Sequence, residues 1–275
     1  MNCAIGKKNC ENNKCSCFSL EDVVEFVKLY NKHVSKSTLS CKDCIPIKKT
    51  QNLFYYLDRL KEKVCAGKCS DVTFIDKFVD SGIMDSKTAD QIKEVRFKPL
   101  GPLTREWLSN IEIDNVLEQY QNHHTDFLYI DSTPIDFDPS AFFKIYKDSY
   151  KKNLGIRKIA TVYNTDPSHK PGKHWIASFV DIKKKTIFFY DSVGTPPPRN
   201  VQRLLSKINS KLFRKKNKIL WNDMNHQKKS SECGVFCLYF ITTILDNQVK
   251  FQDFCRNPLL TDDAVFKKRK IFFRE

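Results

Sequence analysis

One apolar segment constrains this chain more than any other. Between Val235 and Leu245 nearly every residue is apolar, which is typical of a helix buried on all sides. Ser230 or Ser231 is the expected N-cap before that helix. Cys233 would then lie at the helix start, where unpaired backbone N–H groups and the helix dipole favour an anion. A thiol in that position is shifted toward the thiolate, the form that attacks carbonyl carbons.

Two neighbours of Cys233 suit the same chemistry. Gly234 leaves room for a substrate backbone, and Gln227 can place a side-chain N–H where it would stabilise an oxyanion. A free cysteine is nevertheless more often a small buried hydrophobic residue than a nucleophile. The interpretation of Cys233 as a nucleophile therefore needs a base elsewhere in the chain.

A predicted β-hairpin supplies that base and a carboxylate. One strand is expected over Trp175–Ile182 and the returning strand over Thr186–Asp191, with three consecutive lysines at the turn. His174 precedes the first strand and Asp191 ends the second, so the two side chains can meet across the hairpin. An acceptor on one ring nitrogen fixes the tautomer of the histidine and leaves the other nitrogen free to take the thiol proton. Each of these residues alone is more often structural, but His174, Asp191, Gln227 and Cys233 together predict a thiol enzyme.

These motifs resemble those of the SUMO-protease and adenovirus-protease clan of cysteine proteases. Within the clan, the chain is most like the polyprotein-processing proteases of the African swine fever virus type, over about Arg96 to Lys268. The matching segments are Gly172–Trp175, Phe188–Ser192, Gln227 and Glu232–Gly234. The resemblance implies an α+β fold with a SUMO-protease-like, permuted papain-like core. It also implies that His174 is the base, Asp191 its orienting partner, Cys233 the nucleophile and Gln227 the oxyanion donor.

The resemblance extends to the substrate cleft. Trp175 would form the wall of a narrow cleft that admits only small residues before the scissile bond, although a tryptophan in a strand is ordinarily core. Such a cleft selects Gly-Gly, because any Cβ would clash. Asn164 either lines this cleft or ends the preceding strand in a turn. The tryptophan that helps to clamp the di-glycine in related proteases is matched most nearly by Ile111, with Trp107 just upstream.

The function implied by the resemblance is cleavage of viral structural polyproteins after Gly-Gly during virion maturation. The protease would act in the host cytoplasm and the virion, without a cofactor. Removal of ubiquitin-like modifiers, which also end in Gly-Gly, is one alternative. An inactive basic module that binds nucleic acid or a scaffold is another.

Composition agrees with a folded enzyme and excludes some other classes. With 41% apolar and 12% aromatic residues, the 275-residue chain can bury a core, and it is not a disordered chain. No stretch approaches the roughly 18 apolar residues of a membrane span, so no membrane partner is expected. The polar segment 1–17 predicts no secretory signal. Eleven cysteines without such a signal predict reduced thiols in a cytosol-like compartment.

The N-terminal region differs from the rest of the chain. Residues 1–95 are predicted to form a helical, cysteine-rich extension, and residues 96–275 the catalytic domain. The Pro/Gly cluster at 97–102 marks the boundary. The extension is a candidate for docking substrate. Its pairs Cys41/Cys44 and Cys65/Cys69 approach a four-thiolate zinc spacing, but reduced structural thiols without a metal are the preferred interpretation.

The positive charge of +15 is unevenly distributed. Arg199, Arg203, Lys207 and Lys211 recur every fourth position, which places them on one face of a predicted helix. Such a stripe is usually a solvated helix face. The alternative is a surface that contacts nucleic acid through its phosphates, with strong salt dependence.

Overall fold

The computed structural model describes residues 2–35, 41–48, 51–151, 155–213, 218–229 and 231–274. The chain forms two compact units, Met1–Pro99 and Leu100–Glu275. Residues 97–98 remain with the first unit because Phe97 forms a β-bridge with Cys3 and the Lys98 N–H donates to the Asn2 carbonyl over 2.8 Å.

The first unit is helical, with a short hairpin at its start. The hairpin strands are β1 (Asn9–Glu11) and β2 (Lys14–Ser16), and the helices are α1 (Leu20–Ser35), α2 (Leu53–Cys65), α3 (Asp71–Asp80) and α4 (Ser86–Arg96). The last three helices have N-cap residues whose side chains accept a backbone N–H of the first turn. These N-caps are Asn52, Ser70 and Asp85. Phe18 and Phe26 pack edge-to-face in the core. The prediction of N-terminal helices is confirmed.

The prediction of reduced thiols in this region is wrong. Each cysteine of the first unit is paired, in the disulfides Cys3–Cys17, Cys10–Cys15, Cys41–Cys44 and Cys65–Cys69. The four sulfurs considered as zinc ligands are therefore divided between two local bridges and form no thiolate set. Two cysteines this close in sequence can be bridged within a single turn of the chain. Their spacing alone does not distinguish such a disulfide from a zinc-binding turn.

Alkylation under denaturing conditions checks this pairing. Iodoacetamide without reductant is expected to add three groups, at Cys233, Cys237 and Cys255. After reduction, mass spectrometry should show all eleven cysteines alkylated. Eleven alkylated cysteines before reduction, in protein prepared without a reducing agent, would restore the original interpretation.

The second unit is built on a mixed five-stranded sheet. Its strands, in spatial order, are β3 (Phe127–Pro134), β4 (Lys158–Asn164), β5 (Trp175–Asp181), β6 (Thr186–Tyr190) and β7 (Leu220–Trp221). The pairs β3–β4 and β6–β7 are parallel, and the pairs β4–β5 and β5–β6 are antiparallel. The predicted hairpin is thus present, with its strands ending within a residue of the expected positions.

Helices connect and cover the strands. They are α5 (Asn110–His123), α6 (Pro139–Lys151), α7 (Arg199–Lys207), a π-helix (Ile208–Leu212), α8 (Cys233–Leu245), α9 (Phe251–Cys255), α10 (Asp262–Phe266) and α11 (Arg269–Phe272). Ile176 and Val180 of β5 share a core with Leu204 of α7, while α8 also packs against β5. With both faces covered, every residue of β5 is buried, which explains its nearly continuous apolar sequence. In the described part of the chain, no helix is long and apolar enough to cross a membrane.

Candidate active site

The hairpin brings His174 and Asp191 into direct contact. His174 comes just before β5 and Asp191 just after β6, and His174 Nε2 lies 2.7 Å from Asp191 Oδ1. The same carboxylate accepts the Val193 N–H over 2.9 Å and the Thr195 hydroxyl. Burial opposes ionisation of Asp191, but the hydrogen bonds from His174, Thr195 and Val193 outweigh it and lower its pKa. Asp191 is therefore an ionised acceptor.

The Cys233 side chain is near enough to the imidazole to affect the His174 pKa. Burial opposes a charge on His174, but hydrogen bonds to Asp191 and to the Cys233 side chain outweigh it and raise the His174 pKa to about 9. Because Nε2 is engaged by Asp191, Nδ1 is the ring nitrogen left for the thiol. A protonated His174 at neutral pH would favour a thiolate–imidazolium pair. The structure thus brings together the three residues on which the enzyme interpretation depends.

Cys233 is the first residue of α8, but the predicted cap is wrong. Ser231 is not the N-cap, and Ser230 lies outside the described residues; Glu232 occupies the N-cap position and makes no side-chain capping bond. Its carboxylate is fully buried and contacts the equally buried Arg269, with Oε2 2.9 Å from Nε. A tertiary ion pair has therefore replaced the local cap.

Arg269 holds several backbone segments together at the start of α8. Its Nη1 donates to the Pro102 carbonyl over 3.0 Å, and its Nη2 donates to the Glu106 carbonyl. Its Nε donates to Glu232, directly before Cys233. The C-terminal helix α11 thereby links the segment at 102–106 to the residue that precedes the candidate nucleophile.

Gly234 packs closely on Leu108, and the prediction that it makes room for substrate stays a prediction. A Cβ at position 234 would lie 3.1 Å from Leu108 Cβ and 3.2 Å from Leu108 Cδ1. Leu108 is itself held by the Trp175 indole, whose Nε1 donates to the Leu108 carbonyl over 2.8 Å. The missing side chain thus lets the segment around Leu108 lie on the first turn of α8.

Gln227 is buried and firmly oriented. Its Oε1 accepts the Ser192 hydroxyl over 2.6 Å, and its Nε2 donates to the Lys229 carbonyl over 2.7 Å. The Ser192 carbonyl also accepts the Gln227 backbone N–H over 2.9 Å. Because one amide hydrogen is used by Lys229, only the second is left for an oxyanion. Its role as the oxyanion donor stays a prediction.

A cavity of about 460 Å³ lies beside Trp175. Trp107 and Asn164 line it together with Trp175, whereas Ile111 is 63% exposed and does not line it. Trp107 therefore shares the cavity with Trp175, whereas Ile111, the nearest match by position, does not line it.

Asn164 closes a turn, as one of the two interpretations predicted, and its contact with substrate stays a prediction. Its Oδ1 accepts the backbone N–H groups of Asp166 and Lys173, which closes the loop between β4 and β5. It also lines the cavity. Gly172 has a φ of +99°, and a Cβ there would lie 2.5 Å from Asn164 Nδ2, so only glycine fits this wall.

Comparison with known proteins assigns the family. The C-terminal catalytic domain of the Ulp1 protease family matches residues 156–274. A protein of Acanthamoeba polyphaga mimivirus, described as a thiol protease, is 30% identical over 98% of this chain and 96% of its own length. The chain belongs to the Ulp1 protease family. This Ulp1-family chain is a cysteine protease, as its motifs predicted.

A second viral relative supports the fold of this Ulp1-family protease. The cysteine protease of an African swine fever virus isolate from Malawi is 29% identical over 66% of this chain and 73% of that protein. The crystal structure of an African swine fever virus protease aligns over 100% of this chain and 96% of the other, with a TM-score of 0.65 at 23% identity. The predicted α+β, SUMO-protease-like fold with a helical N-terminal region is confirmed.

Sequence reasoning missed several residues that position the site of this Ulp1-family protease. Asn222 accepts the Asp191 backbone N–H over 2.9 Å through Oδ1 and donates back to the Asp191 carbonyl. Ser192, Glu232 and Arg269 were not recognised as supports either. Their partners lie more than thirty residues away in the chain, so no local pattern identifies them.

The basic stripe is divided by the structure. Arg199, Arg203 and Lys207 lie on α7, but Lys211 lies on the π-helix that follows. A π-helix has a wider turn than an α-helix, so the predicted spacing of four no longer describes one straight row. Contact of these four residues with nucleic acid stays a prediction.

Proposed function

We propose that this protease cleaves viral structural polyproteins after Gly-Gly, with His174, Asp191 and Cys233 as its catalytic residues. The observation that carries the proposal is that the His174 imidazole interacts with both Asp191 and Cys233. The viral relatives support an infected host cell as the setting. Processing would take place in the host cytoplasm and in the virion.

The mechanism follows from the geometry of the three side chains. His174 takes the Cys233 proton, and the thiolate attacks the carbonyl carbon of the glycine before the scissile bond. The Cys233 backbone N–H and the second amide hydrogen of Gln227 stabilise the oxyanion. His174 then gives its proton to the leaving amine, and water hydrolyses the thioester. Asp191 keeps the imidazole oriented throughout.

Selection for glycine would follow from the walls of the cleft. Trp107, Trp175 and Asn164 line the cavity, and we place the substrate residues before the scissile bond there. His174, Asp191 and Cys233 do not line it, but Trp175 directly follows His174 in the chain. A Cβ at either glycine is then expected to clash with the indoles. Gly234 packs on Leu108, and its direct contact with substrate stays a prediction.

Cleavage assays on matched peptides test this specificity. A fluorogenic peptide ending in Gly-Gly before the cut is expected to be cleaved, and its Ala-Gly and Gly-Ala counterparts at least about tenfold more slowly. Similar rates on all three peptides would contradict the proposed cleft. Ubiquitin and SUMO fused through Gly-Gly to the same reporter, run beside a polyprotein segment, decide between polyprotein processing and the isopeptidase alternative.

Removal of the orienting charge should be visible in the pH profile. His174 has a pKa raised to about 9, so the imidazole is protonated below that pH and loses its proton as the pH rises through it. The alkaline limb of kcat/KM is therefore expected near pH 9. In Asp191→Asn the hydrogen bond persists without the charge, and the limb should move down by about one unit or more. An unmoved limb would show that Asp191 does not set the pKa of the base.

The N-terminal extension is proposed to dock polyprotein substrate. A truncated protein that starts near Arg96 should then retain cleavage of short peptides but lose cleavage of folded polyprotein. Thermal unfolding of the truncated protein would establish that the catalytic unit is still folded. Equal activity on both substrates would remove the docking proposal.

A further inference from the structure

A second cavity of the catalytic unit is lined by positive charge. It measures about 700 Å³ and shares no lining residue with the substrate cavity. No carboxylate lies among its lining residues, and its floor includes the buried side chains of Leu212 and Phe213. It is lined by five lysines: Lys147, Lys151, Lys185, Lys207 and Lys211. We refer to it as the lysine cavity.

Separate elements deliver these lysines to one concave surface. Lys147 and Lys151 are one turn apart on α6, Lys207 and Lys211 lie across the junction of α7 and the π-helix, and Lys185 is in the β5–β6 turn. Like charges one turn apart destabilise a helix. The fold therefore concentrates charges that repel one another, and an anion would relieve that repulsion.

The protein restrains the direction of some of these lysine side chains without neutralising their charge. The Lys207 ammonium lies 5.0 Å from the centre of the Phe143 ring and 3.4 Å from Ser140 Oγ, so its direction is restrained without neutralisation. Within the residues that the structure describes, Lys147, Lys151 and Lys211 form no ion pair with a carboxylate.

We propose that the lysine cavity binds a compact anion that carries several phosphate groups. Lysine ammonium groups bind phosphate oxygens as point charges, and the volume is within the usual range for small-molecule sites. A concave surface of one sign over an apolar floor strengthens the local potential. The triphosphate of a nucleotide and inorganic polyphosphate share this chemistry.

The cavity also distinguishes this ligand from an extended nucleic acid. Arg199 and Arg203 are exposed on α7 and do not line the cavity. A nucleic acid that followed the basic stripe would need them, whereas a compact anion would contact only the lysines. Replacing these two arginines therefore changes the net charge by the same amount as replacing two lysines of the cavity, but outside the cavity.

Calorimetric titration of the full-length protein tests the proposal. Tripolyphosphate and ATP are titrated at low ionic strength into the native protein, Lys147→Glu/Lys211→Glu and Arg199→Glu/Arg203→Glu. The lysine double variant should bind tripolyphosphate roughly thirtyfold more weakly, because two attractions are removed and two repulsions are added, each the size of an exposed ion pair. The arginine double variant should stay within about threefold of the native protein, because salt screens more distant charges. Thermal unfolding confirms that both variants are folded.

Each of the other outcomes either overturns the proposal or identifies which ligand the lysine cavity binds. Equal binding of ATP and tripolyphosphate identifies phosphate alone as the ligand, and tighter binding of ATP identifies a nucleotide. Absence of binding, or equal loss in both double variants, overturns the proposal. A single-stranded oligonucleotide that binds more tightly than tripolyphosphate, and is lost on changing the arginines, would instead establish the nucleic-acid stripe. None of these readouts depends on protease activity, so they are separate from the proposed cleavage.

Discussion

Replacement of Cys233 by alanine is expected to abolish peptide cleavage, with a fall in kcat of about 10⁵- to 10⁶-fold. The change removes the sulfur that helps to raise the His174 pKa. Since Cys233 is fully buried, loss of one sulfur atom alters the packing little compared with larger truncations. Initial rates on the Gly-Gly peptide, together with the thermal unfolding temperature, measure the two effects separately.

Cys237 provides the matched control for this experiment. It is a free, fully buried cysteine one turn later on the same helix. Burial raises the pKa of the Cys237 thiol well above its ordinary value, so this residue remains an uncharged thiol. Cys237→Ala should therefore keep most of its activity. If both variants lost activity equally, or if Cys233→Ala still cleaved, the assignment of the nucleophile would be wrong.

The second large effect is expected at Arg269. Replacement by methionine preserves much of the side-chain volume but leaves the buried Glu232 carboxylate without its main partner. Breaking a buried ion pair from one side typically costs about 3–5 kcal/mol of folding free energy. Arg105, whose Nη1 lies 3.8 Å from Glu232 Oε1, would offset part of that loss. Chemical denaturation measures the change in the free energy of unfolding.

The activity of Arg269→Met should fall by more than its unfolded fraction accounts for. Glu232, which loses its partner in this variant, directly precedes Cys233. The double variant Glu232→Gln/Arg269→Met removes the stranded charge and should recover part of the lost stability. Lys267→Met is the control, since it removes an exposed cation from the same segment. A native-like stability and rate for Arg269→Met would show that this ion pair neither stabilises the fold nor positions the nucleophile.

Local patterns in the sequence were sufficient to predict the helix and the strands that position the catalytic residues. The alternating and apolar residues around 175–190 predicted the hairpin, and the apolar run at 235–245 predicted α8. Both predictions depend on backbone hydrogen bonds between near neighbours and on which face is buried. The motifs around His174, Asp191 and Cys233 also identified the family correctly.

Local patterns failed where a partner lay elsewhere in the chain. Ser230 or Ser231 was predicted to cap α8, but Glu232 takes that position, and its carboxylate pairs with Arg269, far along the chain. Nothing in the local sequence indicated that Gly234 packs on Leu108, more than a hundred residues away in the chain. The disulfides also escaped prediction, because cysteine spacing alone does not separate bridges from metal ligands or free thiols.

The sequence by itself determined the N-terminal helices, helix α8, the central hairpin, the family and the three residues proposed to act in catalysis. Only the tertiary structure decided how the imidazole interacts with both a carboxylate and a thiol, and how five lysines gather around one cavity. The physical reason is the range of the interactions. Helices and strands depend on neighbours in the chain, whereas the contacts of the site join residues from 17 positions apart, His174 to Asp191, to 167 apart, Arg269 to Pro102.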